Sequence, residues 1–130
     1  ENIIKHVADV NQLFTQYGVV RPFAASIVLG GVDETGPVLC TTDPSGTYST
    51  YDAVAIGSGS DRVTDYIEQH YNNQLNLDEA CKLAIDCIWL AHREARVEDV
   101  DMALVKSKTK RVWRPSHKEV KAFMESLHDR

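Results

Sequence analysis

Phe23 to Ile56 reads FAASIVLGGVDETGPVLCTTDPSGTYSTYDAVAI, and this stretch decides the fold. Phe23 to Val32 is largely apolar on both alternating sets, Phe23/Ala25/Ile27/Leu29 and Ala24/Ser26/Val28. A strand with both faces covered is therefore expected. Asp33-Glu34-Thr35-Gly36 supplies a turn, and Pro37 to Thr42 is the returning strand. Asp43-Pro44-Ser45-Gly46 places Asp, Pro and Gly where a type I turn prefers them. Thr47 to Tyr51 and Ala53 to Ile56 read as two more short strands. Tight turns between four strands predict an antiparallel meander, not a βαβ unit.

Upstream, Ile3, Val7, Val10, Phe14 and Tyr17 recur at spacings of four and three, which predicts one apolar stripe on a helix from Glu1 to Tyr17. Gly18 suits the helix end, and Arg21-Pro22 disfavours continuation. Downstream, Gly57-Ser58-Gly59-Ser60 leads into a helix from about Ser60 to Tyr71, with Ser60 as its cap and Val63, Ile67 and either His70 or Tyr71 inward. Asn76 and Glu79 form a capping pair for a third helix running to about Ala95. Its expected buried stripe is Leu77, Ala80, Cys81, Ala84, Cys87, Ile88, Ala91 and Ala95. Leu83, Ile85, Trp89 and Leu90 add apolar surface elsewhere, so the helix needs cover on more than one side. Val100 to Lys106 and Lys110 to Arg114 read as a hairpin across Ser107-Lys108-Thr109. Ser116 and Glu119 make a capping box for a last helix, with Val120, Phe123, Met124 and Leu127 inward. Strands and helices in separate blocks mean an α+β fold with helices layered on an antiparallel sheet. The 130 residues suit a single domain spanning 1–130.

Composition excludes several functions. Lys plus Arg is 14 against 19 Asp plus Glu, a net charge of −5, which argues against a nucleic-acid partner. No apolar run approaches the roughly 20 residues that a membrane span needs. Cys40, Cys81 and Cys87 lack C-x-x-C spacing, so buried structural thiols in a reducing cytoplasm are expected, with no disulfide framework. The five histidines lie outside any metal-binding spacing, so no metal and no cofactor is expected. The Gly57-to-Ser60 turn lacks both the Lys-Ser/Thr of a P-loop and the third glycine of a dinucleotide fingerprint, and a strand-to-helix turn of small residues accounts for it. No G-x-S-x-G elbow occurs. Lys106, Lys108, Lys110 and Arg111 read as a solvated turn beside Trp113.

Gln16-Tyr17-Gly18-Val19-Val20-Arg21-Pro22-Phe23, Gly30-Gly31-Val32-Asp33, Gly36-Pro37-Val38-Leu39, Thr42 to Tyr48, Ala55-Ile56-Gly57-Ser58-Gly59 and Asn76-Leu77-Asp78-Glu79-Ala80, in that order, resemble the α-type subunits of the 20S proteasome, over roughly their C-terminal half. The resemblance implies an αββα sandwich of the N-terminal-nucleophile hydrolase type, incomplete in this chain. It implies a non-catalytic structural ring subunit that scaffolds the catalytic β-ring and controls substrate entry. Implied partners are other α and β subunits, a regulatory activator and unfolded polypeptide substrate, in the cytoplasm and, in a eukaryote, also the nucleus.

Arg21, Asp43, Pro44, Ser45 and Gly46 are the best-matched positions and are expected to be fold or ring-contact residues, although turn chemistry alone explains most of them. Two alternatives are a β-type threonine peptidase subunit with its nucleophile outside this segment, and a stand-alone interaction module. The β-type reading is disfavoured because His92 to Asp99 lacks the Ser-Gly usual in that class. The family's gating tail and activator-receiving lysine have no counterpart here. Position 24 is Ala where the family often has Gly, and the hairpin at 100–114 is only loosely matched. The segment alone is expected to expose an apolar sheet face and strand edges.

Overall fold

The computed structural model describes residues 3–6, 9–10 and 25–128, with side chains through 126. The chain divides into two compact units, Glu1–Asp52 and Ala53–Arg130. The secondary structure is α+β.

In the first unit, β1 (Ile27–Asp33) and β2 (Gly36–Thr42) pair antiparallel from Ile27↔Thr42 to Asp33↔Gly36, and β3 (Tyr48–Thr50) pairs with β2 from Cys40↔Thr50 to Thr42↔Tyr48. The first three expected strands are present, each displaced by one to four residues at an end. The fourth is not: Ala53–Ile56 is coil. After β3, one further bond, from the Tyr51 amide to the Leu39 carbonyl at 2.9 Å, extends the ladder, and then the chain bends at Asp52. No described strand lies beside Ala53–Ile56, and a strand without a partner leaves its backbone groups unpaired. Cys40 and Thr42 are buried on one sheet face, whereas Val28 on the other is exposed. The expectation of cover on both faces therefore fails at the start of β1.

Residues 3–6 and 9–10 are helical, and the rest of the Glu1 to Tyr17 helix lies outside the described residues, as do Gly18, Arg21, Pro22, Phe23 and Ala24. Ile4 is 1 % exposed and Ile3 69 %, so Ile4 faces inward in place of the expected Ile3, whereas Val10 is half-buried; Val7, Phe14 and Tyr17 lie outside the described residues.

In the second unit, α1 (Ser60–His70) packs on α2 (Leu77–Ala91), which packs on α3 (His117–His128). A 3-10 turn at Val97–Asp99 and a hairpin of β4 (Leu104–Val105) and β5 (Val112–Trp113) lie between α2 and α3. Asn76 caps α2 reciprocally with Glu79: the Glu79 amide donates to Asn76 Oδ1 at 3.0 Å, and the Asn76 amide donates to Glu79 Oε2 at 2.8 Å. Ser116 and Glu119 repeat the device for α3. Ser60 does not cap α1; Gly59 holds that position with φ 80, and no side chain caps the helix. An added Cβ at Gly59 would sit 3.3 Å from the Ala91 Cβ, so close helix approach and backbone conformation both require glycine there.

The α2 stripe is also rotated. Cys81, Ile85 and Cys87 are buried, while Ala80 and Ala84 are exposed and Ile88 is 41 % exposed. The packing surface is centred on Cys81, Ile85 and Trp89, because Ile85 joins Val100, Val120 and Met124 in the core, with Trp89, Val97, Met102 and Phe123 against it. Helix α2 ends at Ala91, not Ala95, since His92 (φ −136, ψ 87) leaves the helical region. Val120 and Met124 face inward as expected, and the Leu127 side chain lies outside the described set. The hairpin is shorter than expected: Lys110, with φ 53, donates its amide to the Lys106 carbonyl at 2.9 Å and closes a wider turn.

Ile85 is the test of this packing. Ile85→Ala should cost about 3 kcal/mol in urea unfolding through the lost burial and the cavity left behind. Ile88→Ala on the exposed side should cost less than about 1 kcal/mol. Equal losses would refute the rotated register.

Candidate functional site

Asp43 follows β2 directly. Its Oδ1 accepts from the Ser45 amide at 2.9 Å, the Ser45 hydroxyl and the Thr47 amide at 3.1 Å. The Gly46 amide donates to the Asp43 carbonyl at 3.1 Å, which is the bond of the expected turn. Gly46 has φ 87, a conformation open to glycine. The Ser45 hydroxyl, then the backbone donors, hold the Asp43 carboxyl below its usual range. Asp43, Pro44, Ser45 and Gly46 are thus brought together in one tight turn joining β2 to β3. Arg21 lies outside the described residues. A carboxylate oxygen that gathers three local donors organises the turn.

A second cluster escaped the sequence reading. On α1 the Tyr66 and His70 rings stack with centroids 3.9 Å apart, and His70 Nδ1 donates to the Tyr66 carbonyl at 2.8 Å. Across on α2, Asp86 accepts from the Tyr66 hydroxyl. Burial raises the Asp86 carboxyl above its usual range, against the opposing effects of Tyr66 and His70. Burial likewise raises Tyr66 and the Cys81 and Cys87 thiols, which keeps both thiols protonated and unreactive. Tyr66, Asp86, Trp89, Leu90, Arg93 and Ala95 line an open groove of about 530 Å³. The only signal in the sequence was the i, i+4 spacing of Tyr66 and His70, which both a stacked pair and an unrelated pair share.

Cys40, Cys81 and Cys87 are free and buried, as expected of structural thiols. Among the described residues no group of three or more His, Cys, Asp or Glu side chains is placed to hold a metal ion. No described helix is long and apolar enough to cross a membrane.

The two carboxylates should respond oppositely to pH. Asp43 is lowered on folding, so it contributes stability above the ordinary carboxylate range, and this is lost as pH falls through its folded value. Asp86 is raised, so its ionisation opposes folding once pH rises above that range. Thermal melts at pH 7 should therefore show Asp43→Asn lowering Tm and Asp86→Asn raising it. Both differences should shrink as pH falls, that at Asp86 first and that at Asp43 only below the ordinary carboxylate range, as each carboxyl takes up its proton.

A family model described as "Proteasome: Proteasome subunit" matches residues 1–105. The chain is 37% identical over 125 residues to "Proteasome subunit alpha" of Pyrococcus horikoshii, covering 96% of this chain and 48% of the relative. It is 42% identical over 107 residues to the protein of that name from Picrophilus torridus, covering 82% and 46%. It is 35% identical over 127 residues to that from Methanocaldococcus jannaschii, covering 98% and 49%. The chain spans about half the length of these curated relatives and matches their C-terminal half. The likeness thus extends well beyond the strands and turns that first suggested it, and the chain belongs to the proteasome subunit family.

Proposed function

We propose that this chain is the C-terminal portion of an α-type subunit of the 20S proteasome, forming one domain with the rest of the αββα sandwich. It serves as a non-catalytic ring member that supports the β-ring and takes part in admitting unfolded polypeptide. The observation that carries this reading is the 34–42% identity to α-type subunits, sustained over 82–98% of the chain. The described fold suits a part of a larger packing unit. Ile27, Val28, Tyr48, Tyr51, Ile56, Val112 and Trp113 are all exposed, a large apolar area for a lone soluble domain. In this role the Asp43-to-Gly46 turn stiffens the hairpin at a subunit contact, Arg21 is a further fold or ring-contact residue, and the assembly, including any regulatory activator, works in the cytoplasm.

Native mass spectrometry of the chain isolated from its own cells tests the reading. A ring-sized or larger particle that also contains β-type subunits is expected. Peptidase activity in that particle should be abolished by a reagent that acylates an N-terminal threonine, with the label on another subunit. A monomer, or a label on this chain, would overturn the proposal.

A further inference from the structure

Helix α1 is joined to the chain at both ends by segments that can pivot. Gly57 and Gly59, at φ 99 and φ 80, lead into it, and no side chain caps it. Glycine changes φ and ψ without the penalty of a Cβ. At the other end Tyr71, with ψ 137, leaves the helical region and opens the loop that begins at Asn72. Among the described elements α1 packs chiefly on α2. Val63 is buried on its inner side, Gly59 lies against Ala91, and the Tyr66 hydroxyl reaches Asp86.

The contact at Asp86 depends on protons. Asp86 is a partly buried carboxylate, so its charge opposes the docking of α1. Two groups of α1 act against that effect. The Tyr66 hydroxyl donates to the carboxylate, and a charged His70 ring attracts it. On its own helix Cys87 is its neighbour, Arg93 lines the same groove, and no described group of α3 acts on it. His70 is held in place twice, by its stack on Tyr66 at 3.9 Å and by the 2.8 Å bond from Nδ1 to the Tyr66 carbonyl. With Nδ1–H committed there, Nε2 is the nitrogen that takes up or gives up a proton. The ring also sits in the last turn of α1, where helix carbonyls favour a positive charge.

We propose that Tyr66, His70 and Asp86 form a proton-operated latch that holds α1 on α2 at acid pH and loosens as pH rises. Below the ordinary carboxylate range Asp86 is neutral, and docking brings no charge out of water. Above that range the undocked state ionises first, and docking weakens until pH passes the raised value of the docked carboxyl. A charged His70 offsets part of this effect, and the offset ends when Nε2 gives up its proton. The two proton losses therefore act in the same direction. Every part of the latch lies inside the second unit, so it requires no open surface and holds whether or not the chain sits in a ring.

Hydrogen exchange read by mass spectrometry tests the latch on the full chain as isolated from its cells, with whatever it is assembled to. The quantity followed is the ratio of amide protection in α1 to that in α3, in which the intrinsic pH dependence of exchange cancels. This ratio should fall at least about threefold between about pH 4 and about pH 8. Asp86→Asn keeps an acceptor for Tyr66 and cannot ionise, so it should hold the ratio at its acid value throughout. His70→Gln should be looser than the unmodified chain at about pH 5.5, and the gap should narrow by about pH 8, where an imidazole is ordinarily neutral. A ratio that stays flat in the unmodified chain, because α1 holds or because α3 loosens with it, would overturn the latch. So would a pH dependence that survives Asp86→Asn. A His70→Gln gap of constant size would make His70 a packing residue only and remove it from the latch.

Discussion

The register of β1 against β2 is the constraint on which the first unit depends. Seven consecutive pairs run from Ile27↔Thr42 to Asp33↔Gly36. An aspartate stands at each end of the β2 ladder. Asp33 accepts from the Thr35 amide at 2.7 Å and from its hydroxyl at 2.6 Å, while Asp43 gathers the Ser45 and Thr47 donors. A slip of one residue would turn every β2 side chain to the opposite face. Cys40 and Thr42, the two deeply buried residues of β2, would then lose their cover. Two local hydrogen-bonded turns thereby decide which face of a sheet is core.

The second unit rests on a different device. Its helices begin at fixed points because Asn76 with Glu79 and Ser116 with Glu119 satisfy the first amides of α2 and α3. Fixed starts set the phase of each helix, and the phase brings Ile85 onto Val120 and Met124. Helix α1 has no side-chain cap and depends on packing against α2, where Gly59 meets Ala91 and Tyr66 meets Asp86. Asp86 is the cost of that packing, a carboxylate whose burial opposes its charge. Much apolar surface remains exposed for a chain of this length, Ile56 and Val112 included.

Legibility in the sequence followed the range of the interactions. The Asp43 turn and both capping boxes depend on residues within a few positions of each other, the first three strands on neighbours joined by tight turns, and each was readable. Ala53–Ile56 was misread because a run of small and branched residues suits a strand, but a strand also needs a neighbour. The stripe on α2 was misread because the helix is apolar around most of its girth. Periodicity cannot choose between Ala84 and Ile85 when both are apolar.

By itself the sequence determined the α+β class, the turns on either side of β2, the two capping boxes, the buried state of Cys40, Cys81 and Cys87, and a resemblance that the family match sustains. Those features are written in local hydrogen bonds and residue chemistry. Only the tertiary structure decided which side of α2 faces the core, where the ladder stops after Tyr51, and that Tyr66, His70 and Asp86 meet. Each of these turns on contacts between segments far apart in the chain, and no local pattern encodes the rotation or position that brings such segments together.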